Sequence, residues 1–294
     1  MERCYSIAGI RFQVRCPEKW MYREDGVLTG FRCDLTDPGH ILEFAVVREL
    51  APPEGMLVFS QPDKQVYRDG AAQIRYDGAV SESLTGAYMR ICREGTYSRI
   101  QVREDAIRGH ITPKLVLNAL EAEHRLVEAG AFLLHASYIC CQGKAILFTA
   151  PSGTGKSTQA DMWCRLRGAR LINGDRAAVS ADPSGITVHG IPFAGSSGVF
   201  ENESYPLSAI VYLSQAPQTT LAPLTGVRAF RAVWEGCSVN VWNPEDISVC
   251  TETVLETVQR VPVYHLACTP DESAVKALEQ ELTARRCAYG GTAD

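Results

Sequence analysis

No run of this 294-residue chain approaches the roughly 20 consecutive apolar residues that a membrane-spanning helix requires. The first residues, Met1-Glu2-Arg3-Cys4, open into polar-studded sequence without the apolar stretch of a secretory signal. Both absences point to the cytoplasm and away from a membrane. An excess of positive charge is lacking as well: 29 Lys and Arg against 34 Asp and Glu leave a net charge of −5. No overall field therefore draws in nucleic acid or an anionic lipid surface, and phosphate, if bound, must be held locally. Eleven cysteines are present, but no CxxC pair and no His-rich spacing of the kind that holds zinc. In a reducing compartment they are expected as free thiols acting as small buried hydrophobes. The adjacent Cys140-Cys141 suits neither a disulfide nor a metal.

What is present is an ordinary globular composition, 46% apolar, 21% charged and 8% aromatic, in a chain long enough for two domains or one large one. Residues 1–110 read as a β-rich domain, because short runs rich in Val, Ile, Tyr and Phe are broken by Gly, Pro and Asp about every ten residues. Ile41 to Val47, Met56 to Phe59, Ala87 to Arg93 and Tyr97 to Val102 are the clearest strands. A single linking helix is expected over 111–130, with Thr112 as its cap, Pro113 in its first turn and leucines at helical spacing until Gly130. Residues 131–294 alternate strand and helix. The fold class predicted is α/β for this second domain and α+β overall.

The most informative segment is Ala150-Pro151-Ser152-Gly153-Thr154-Gly155-Lys156-Ser157-Thr158, set between an apolar strand and a helix. Strand, Gly-rich loop and helix in that order form the context of a phosphate-binding loop. Gly153 and Gly155 let successive N–H groups turn inward toward an anion, and the helix N-terminus adds partial positive charge. Ser152 to Thr158 are the expected nucleotide contacts, with Lys156 reaching the outer phosphates and the Ser157 hydroxyl available to Mg²⁺. The strict pattern has Gly where Ala150 stands, but a methyl group at the strand-to-loop junction need not enter the cradle.

Other absences narrow the class of nucleotide protein. There is no NKxD run for guanine, no LSGGQ-type signature and no Arg-rich lid, and the DxxG match Asp182-Pro183-Ser184-Gly185 reads as a hairpin corner. After the loop's helix, Arg170-Leu171-Ile172-Asn173-Gly174-Asp175-Arg176 delivers an acid from the end of a short strand, expected beside the loop's own strand, where ligands of open α/β sheets bind. Asp175 is open to three readings: proton acceptor for an attacking hydroxyl, partner of a metal, or structural mate of Arg176. His135 ends an apolar stretch and reads either as a core residue or as part of the site. Gly195-Ser196-Ser197-Gly198 reads as a lid, an acceptor-docking loop or a plain surface loop.

The order of His135, the Gly-rich loop and Asp175-Arg176 resembles the HPr kinase/phosphorylase family, which shares a phosphoenolpyruvate-carboxykinase-like nucleotide core. The resemblance covers about residues 130–215. It implies a P-loop kinase that uses ATP and Mg²⁺ to phosphorylate a hydroxyl, serine above all, on a small protein or peptide, with a small molecule as the other acceptor class. His135 falls on the family histidine, Lys156 and Ser157 on the nucleotide and metal residues, and Asp175-Arg176 on the family's second Asp and its Arg. On this resemblance Lys156, His135, Asp175 and Arg176 are the catalytic set, and Ser157 and Asp175 the metal set. Gly174 stands where the family's first Asp is expected, and Thr187 roughly where a metal-binding glutamate stands; both departures speak against phosphorylase activity. The rival readings are a nucleotide-binding regulator or peptide-binding module without catalysis, and a carboxykinase-like nucleotide enzyme. Self-association is left open.

Overall fold

The structure, a computed structural model, describes residues 1–22, 26–34, 37–79, 84, 86–107, 109–193, 195 and 197–289. By internal packing they form two units, one of residues 1–125 with 241–244 and one of residues 126–240 with 245–294. The architecture is mixed, with large sheets and helices in the same chain. Among the described residues no helix is long and apolar enough to cross a membrane.

In the first unit, β1 (Glu2–Ile7), β2 (Ile10–Arg15), β3 (His40–Val47), β4 (Met56–Gln61), β5 (Lys64–Asp69), β6 (Ala72–Ala79), β7 (Gly86–Glu94) and β8 (Tyr97–Arg103) build one eight-stranded sheet. Its order is β1-β2-β3-β8-β7-β6-β5-β4. Period-two patterning drives it: β8 buries Ser98, Ile100 and Val102 while the residues between them stay at least partly open. Trp242 belongs to this unit, its ring 4.7 Å from that of Phe59 and its Nε1 donating to Gln73 Oε1 at 3.2 Å.

The segment expected as one helix is two: α1 (Pro113–Ala119), capped by the Thr112 hydroxyl accepting from the Leu115 amide at 3.3 Å, and α2 (Ala122–Glu128). Between them Glu121 adopts φ +52°, a conformation that costs a non-glycine residue about 1–2 kcal/mol. The bend delivers the Glu121 carboxylate, 2% exposed, to Gln73 at 3.0 Å, Arg93 at 3.0 Å and Arg75 at 3.5 Å. Leucine spacing predicts an unbroken helix because it contains no sign of this buried destination.

In the second unit the strands are β9 (Ala131–Cys141), β10 (Lys144–Thr149), β11 (Arg170–Asn173), β12 (Arg176–Asp182), β13 (Gly185–His189), β14 (Ser204–Gln215), β15 (Thr220–Leu224), β16 (Cys237–Ser238) and β17 (Val263–Cys268). The helices are α3 (Lys156–Arg167), α4 (Gly226–Trp234), α5 (Pro244–Arg260) and α6 (Glu272–Tyr289). β10, β14 and β17 run parallel, and β10 is buried from Ala145 to Thr149 because helices cover both faces. Ala145 and Leu147 enter a core with α4 and α5, whereas Ile146 and Phe148 enter one with α3 and α6.

Strand β9 organises the unit. On one side its residues 136–141 pair with β10 and its residues 133–134 with β16. On the other side it pairs with β11 and then with β12. Both flanks therefore break at the level of His135 and Ala136. The acid-bearing strand β11 consequently does not lie beside β10 as the sequence suggested. β9 is inserted between them, its outer edge being free to take β11 once β10 has taken the inner one. The turn Asp182–Gly185 is a hairpin corner as expected, the Asp182 carboxylate accepting from the amides of Ser184 at 2.7 Å and Gly185 at 3.2 Å. Of the cysteines, Cys16, Cys140, Cys141 and Cys250 are buried but Cys287 is exposed and the rest lie between, so the expectation of a buried set holds for only part of it.

Candidate functional site

The gap in the flanks of β9 is where the chemistry-bearing residues meet. The His135 amide donates to the Gly236 carbonyl at 2.8 Å, its carbonyl accepts from the Thr149 hydroxyl at 3.0 Å, and the Ala136 amide donates to the Asp175 carbonyl at 2.9 Å. The end of β10, the turn after β11 and the residue before β16 are thus tied to one point on β9, the first through the Thr149 side chain and the other two through main chain. A Cβ on Gly236 would lie 2.7 Å from Thr149 Oγ1 and 2.9 Å from Leu134 Cδ1, so a side chain there would displace both.

From Thr149 the chain enters the Gly-rich loop. Gly153 and Gly155 take φ of +78° and +119°, and a Cβ built at either meets nothing within 4 Å. Glycine is needed for the backbone conformation, and the space over the loop is open. Gly155 caps α3, whose first residue, Lys156, is buried with its ammonium donating to the carbonyls of Ala150 at 3.0 Å and Pro151 at 3.4 Å. Burial pushes the Lys156 pKa down, against the opposing pull of Asp175. Ser152, Ser157 and Thr158 are exposed, and Thr154 half-buried, along the loop and the first turn.

Asp175 is aimed by a residue to which the sequence reading gave no role. Asn173, fully buried, accepts through Oδ1 from the amides of Asp175 at 2.9 Å and Arg176 at 3.0 Å, and donates through Nδ2 to the carbonyls of Ile191 at 2.9 Å and Phe193 at 3.1 Å. Its whole hydrogen-bonding capacity is used to shape one turn. An Asn two residues before the acid, at a strand end and next to Gly, is the signal of such a turn. The Asp175 carboxylate lies 3.4 Å from His135 Nδ1 and 3.5 Å from Arg176 Nε. Burial, then the charge of Lys156, lowers the His135 pKa below its ordinary 6.5, with Asp175 pulling the other way, so the ring is neutral at pH 7.

Two glycines accommodate the close approach of the neighbouring loop to this turn. A Cβ on Gly195 would lie 2.8 Å from Asp175 Cβ, so the absence of a side chain lets this loop close against the acid. Of the loop singled out in the sequence, Ser196 lies outside the described residues. At Gly174 a Cβ would lie 2.2 Å from Ser197 Oγ, so an aspartate could stand there only if Ser197 moved.

The structure therefore brings His135, Asp175, Arg176 and Lys156 within electrostatic reach of one another. It places Ser157 and Thr158 on the first turn of α3 without a hydrogen bond to Asp175. His135, Thr149, Ala150, Pro151 and Arg176 line a cavity of about 380 Å³. Tyr212 and Glu235, which the sequence reading passed over, line it as well. Glu235 accepts from Arg231 Nε at 2.8 Å and from the Tyr212 hydroxyl at 3.3 Å, and these bonds hold its carboxyl below the usual range.

Comparisons with known proteins complete the description. A search of the curated proteins finds no match. Among solved structures, the HPr(Ser) kinase/phosphatase from Coxiella burnetii aligns at a TM-score of 0.31 and 11% identity, over 55% of this chain and 99% of that one. Residues 116–282, more than half of the chain, match the family of the SynChlorMet cassette protein ScmC, and the chain belongs to that family.

Proposed function

We propose that this protein is an ATP-dependent kinase that transfers the γ-phosphoryl group to a hydroxyl, serine first among them, on a small protein or peptide. The observation that carries the reading is the convergence of Lys156, at the mouth of an open Gly-rich loop, with the half-exposed His135–Asp175–Arg176 group beside one cavity. A triphosphate suits the loop, whose glycine positions face open space at the N-terminus of α3. Mg²⁺ suits the donors on offer, a hydroxyl and a carboxylate, which are hard oxygen ligands. A cation would take only the Ser157 hydroxyl and the Asp175 carboxylate from the protein, leaving its other positions to phosphate and water, as Mg²⁺ prefers. When bound it would neutralise charge on the phosphate oxygens.

The side chains then divide the work. Lys156 holds the outer phosphates, giving up its bonds to the Ala150 and Pro151 carbonyls. Asp175 takes the proton of the acceptor hydroxyl as its oxygen attacks the γ-phosphorus, the bond from that phosphorus to the β,γ-bridging oxygen breaks, and ADP leaves. The neutral His135 ring orients that carboxylate from Nδ1, and Arg176 faces the group in transfer. All of these residues come from one chain, and the reading implies a cytoplasmic setting.

A second reading is favoured by one observation: Gly174, against Ser197, leaves a single carboxylate where the resembled family has two. That would suit a nucleotide-binding regulator. Incubation with γ-labelled ATP, Mg²⁺ and serine peptides separates the two. Labelling is expected, and Lys156→Ala should abolish both labelling and nucleotide binding. Asp175→Asn should lower kcat by about 100- to 1000-fold, far more than it lowers nucleotide affinity, and equal loss of both would favour the metal role over that of proton acceptor. Nucleotide binding without labelling of any peptide would favour the regulator, and absence of nucleotide binding would overturn both readings.

A further inference from the structure

At the end of the parallel strands away from the Gly-rich loop lies a larger hollow, of about 910 Å³. Ser208, near the level where β14 meets the start of β10, and Val263, the first residue of β17, both line it. The loop leaves β10 at its other end, after Thr149, which is level with Tyr212. Four strand residues, about 13 Å, separate Ser208 from Tyr212. No residue lines both this hollow and the cavity beside His135, so the two are separate sites. The volume falls in the upper part of the range, about 300–1,000 Å³, of pockets that take small organic ligands.

The lining is largely apolar from the core out to solvent. Buried Val261 and Leu282 contribute to it, then half-buried Phe230 and Val258, then exposed Val227 and Leu255. Val227, on the first turn of α4, is 82% exposed, more than any other large apolar side chain among the described residues. Charge in the lining has one sign. Arg260, at the end of α5, and Arg285, on α6, line the hollow, and no Asp or Glu does. Each arginine meets an acid one turn back on its own helix, Arg260 Nη1 donating to Glu256 at 2.7 Å and Arg285 Nε to Glu281 at 3.3 Å. Arg260 Nη1 also donates to the Asp182 carbonyl at 2.7 Å, and the Arg285 guanidinium lies 5.6 Å from the centre of the Tyr264 ring. These bonds use one nitrogen of each guanidinium, which carries five N–H donors in all, so donors remain on both among the described residues. Exposed ion pairs along a helix are weak and yield readily to a competing anion.

We propose that this hollow binds a free carboxylic acid with a medium-length alkyl chain, the chain against the apolar lining and the carboxylate on the guanidiniums of Arg260 and Arg285. An apolar hollow of small-molecule size calls for an alkyl group, and cationic groups without an acid beside them call for an anion; together they select against a neutral lipid, an alkyl cation or a polar metabolite. The inference does not rest on the kinase reading.

The test uses the full chain and 11-(dansylamino)undecanoic acid, whose emission rises when it leaves water. Binding is expected, with displacement by decanoate at about tenfold lower concentration than by decanol or decylammonium, the margin a charge-assisted hydrogen bond to a guanidinium implies. Every alkyl compound is kept below the concentration at which it forms micelles. The double variant Arg260→Ala/Arg285→Ala should weaken decanoate about tenfold and decanol little, whereas Arg260→Lys/Arg285→Lys should keep the preference for the acid. Val227→Asp, a change at an exposed position, should weaken the probe and decanoate alike. Unfolding midpoints confirm that each variant is folded. No binding of the probe, equal displacement by the three alkyl compounds, or a preference for the acid that survives in the double alanine variant would each overturn the proposal. So would a dimer in sedimentation that Val227→Asp separates, which would assign the hollow to a second copy of the chain.

Discussion

Both units gather charge, and they do it in opposite ways. In the first, Arg75 stands 2.9 Å from Asp77 and Arg93 3.0 Å from Glu121, with all four side chains at 11% exposure or less. Asn118 closes the network, accepting from Arg75 through its carbonyl at 2.8 Å and donating to Asp77 at 3.2 Å. Burial alone would raise the pKa of Glu121, but Arg75, Arg93 and Arg125 outweigh it and hold the carboxyl below its usual range. In the second unit the contacts of Asp175 are longer, 3.4 Å and 3.5 Å, and its side chain and those of His135 and Arg176 are 30–36% exposed. A closed, short-range network fixes a bend in the chain. An open, long-range one costs little to rearrange, which on the proposed reading is what a group that exchanges its partner for a substrate requires.

The sharpest way to break this contrast is Glu121→Ala. Removing one member of a buried network strands the arginines around it, and the expected loss is about 3–5 kcal/mol in chemical denaturation. A loss under about 1 kcal/mol would make the two clusters energetically alike. Asn173→Ala comes next, because it leaves two amides and two carbonyls without their partner; about 1–3 kcal/mol of stability should go. Since that side chain aims Asp175, peptide labelling should fall with it while nucleotide affinity holds. The smallest effects are titration shifts, read from the His135 ring protons by NMR. Lys156→Met removes a charge that disfavours the imidazolium, so the His135 pKa should rise; Asp175→Asn removes one that favours it, so the pKa should fall. Shifts of the same sign in both variants would mean that the three groups do not share a field. In the unmutated protein, protonation of His135 is resisted, so between pH 6.5 and its own lower pKa the unfolded chain binds more protons and stability declines as pH falls.

Much of this arrangement was legible because it is local. Strand, Gly-rich loop and helix are consecutive, and the positive φ of Gly153 and Gly155 is what such a loop demands of its glycines. The strands of the first unit follow from period two, and the helix Pro244–Arg260 from its acidic first turn and apolar face. What stayed hidden depends on residues far apart in the chain. Nothing near Glu121 announces Arg75 or Arg93, so the bend after α1 was read as continuous helix. β9 pairs with four strands drawn from the next hundred or so residues, and only that pairing separates β10 from β11. Glu235 and Tyr212 look like ordinary residues of a helix end and a strand until the parallel pairing of β10 with β14 sets Tyr212 level with Thr149 and its hydroxyl meets Glu235.

The way β9 is tied bears on the placement of the reactive residues. Around His135 the anchoring bonds are carried by the amides of His135 and Ala136 and by the carbonyls of His135, Asp175 and Gly236, with Thr149 as the one side-chain contributor. Where each reactive group sits is thus nearly independent of which group it is. The bonds that place positions 135 and 175 on β9 therefore do not call on the imidazole or the carboxylate those positions carry.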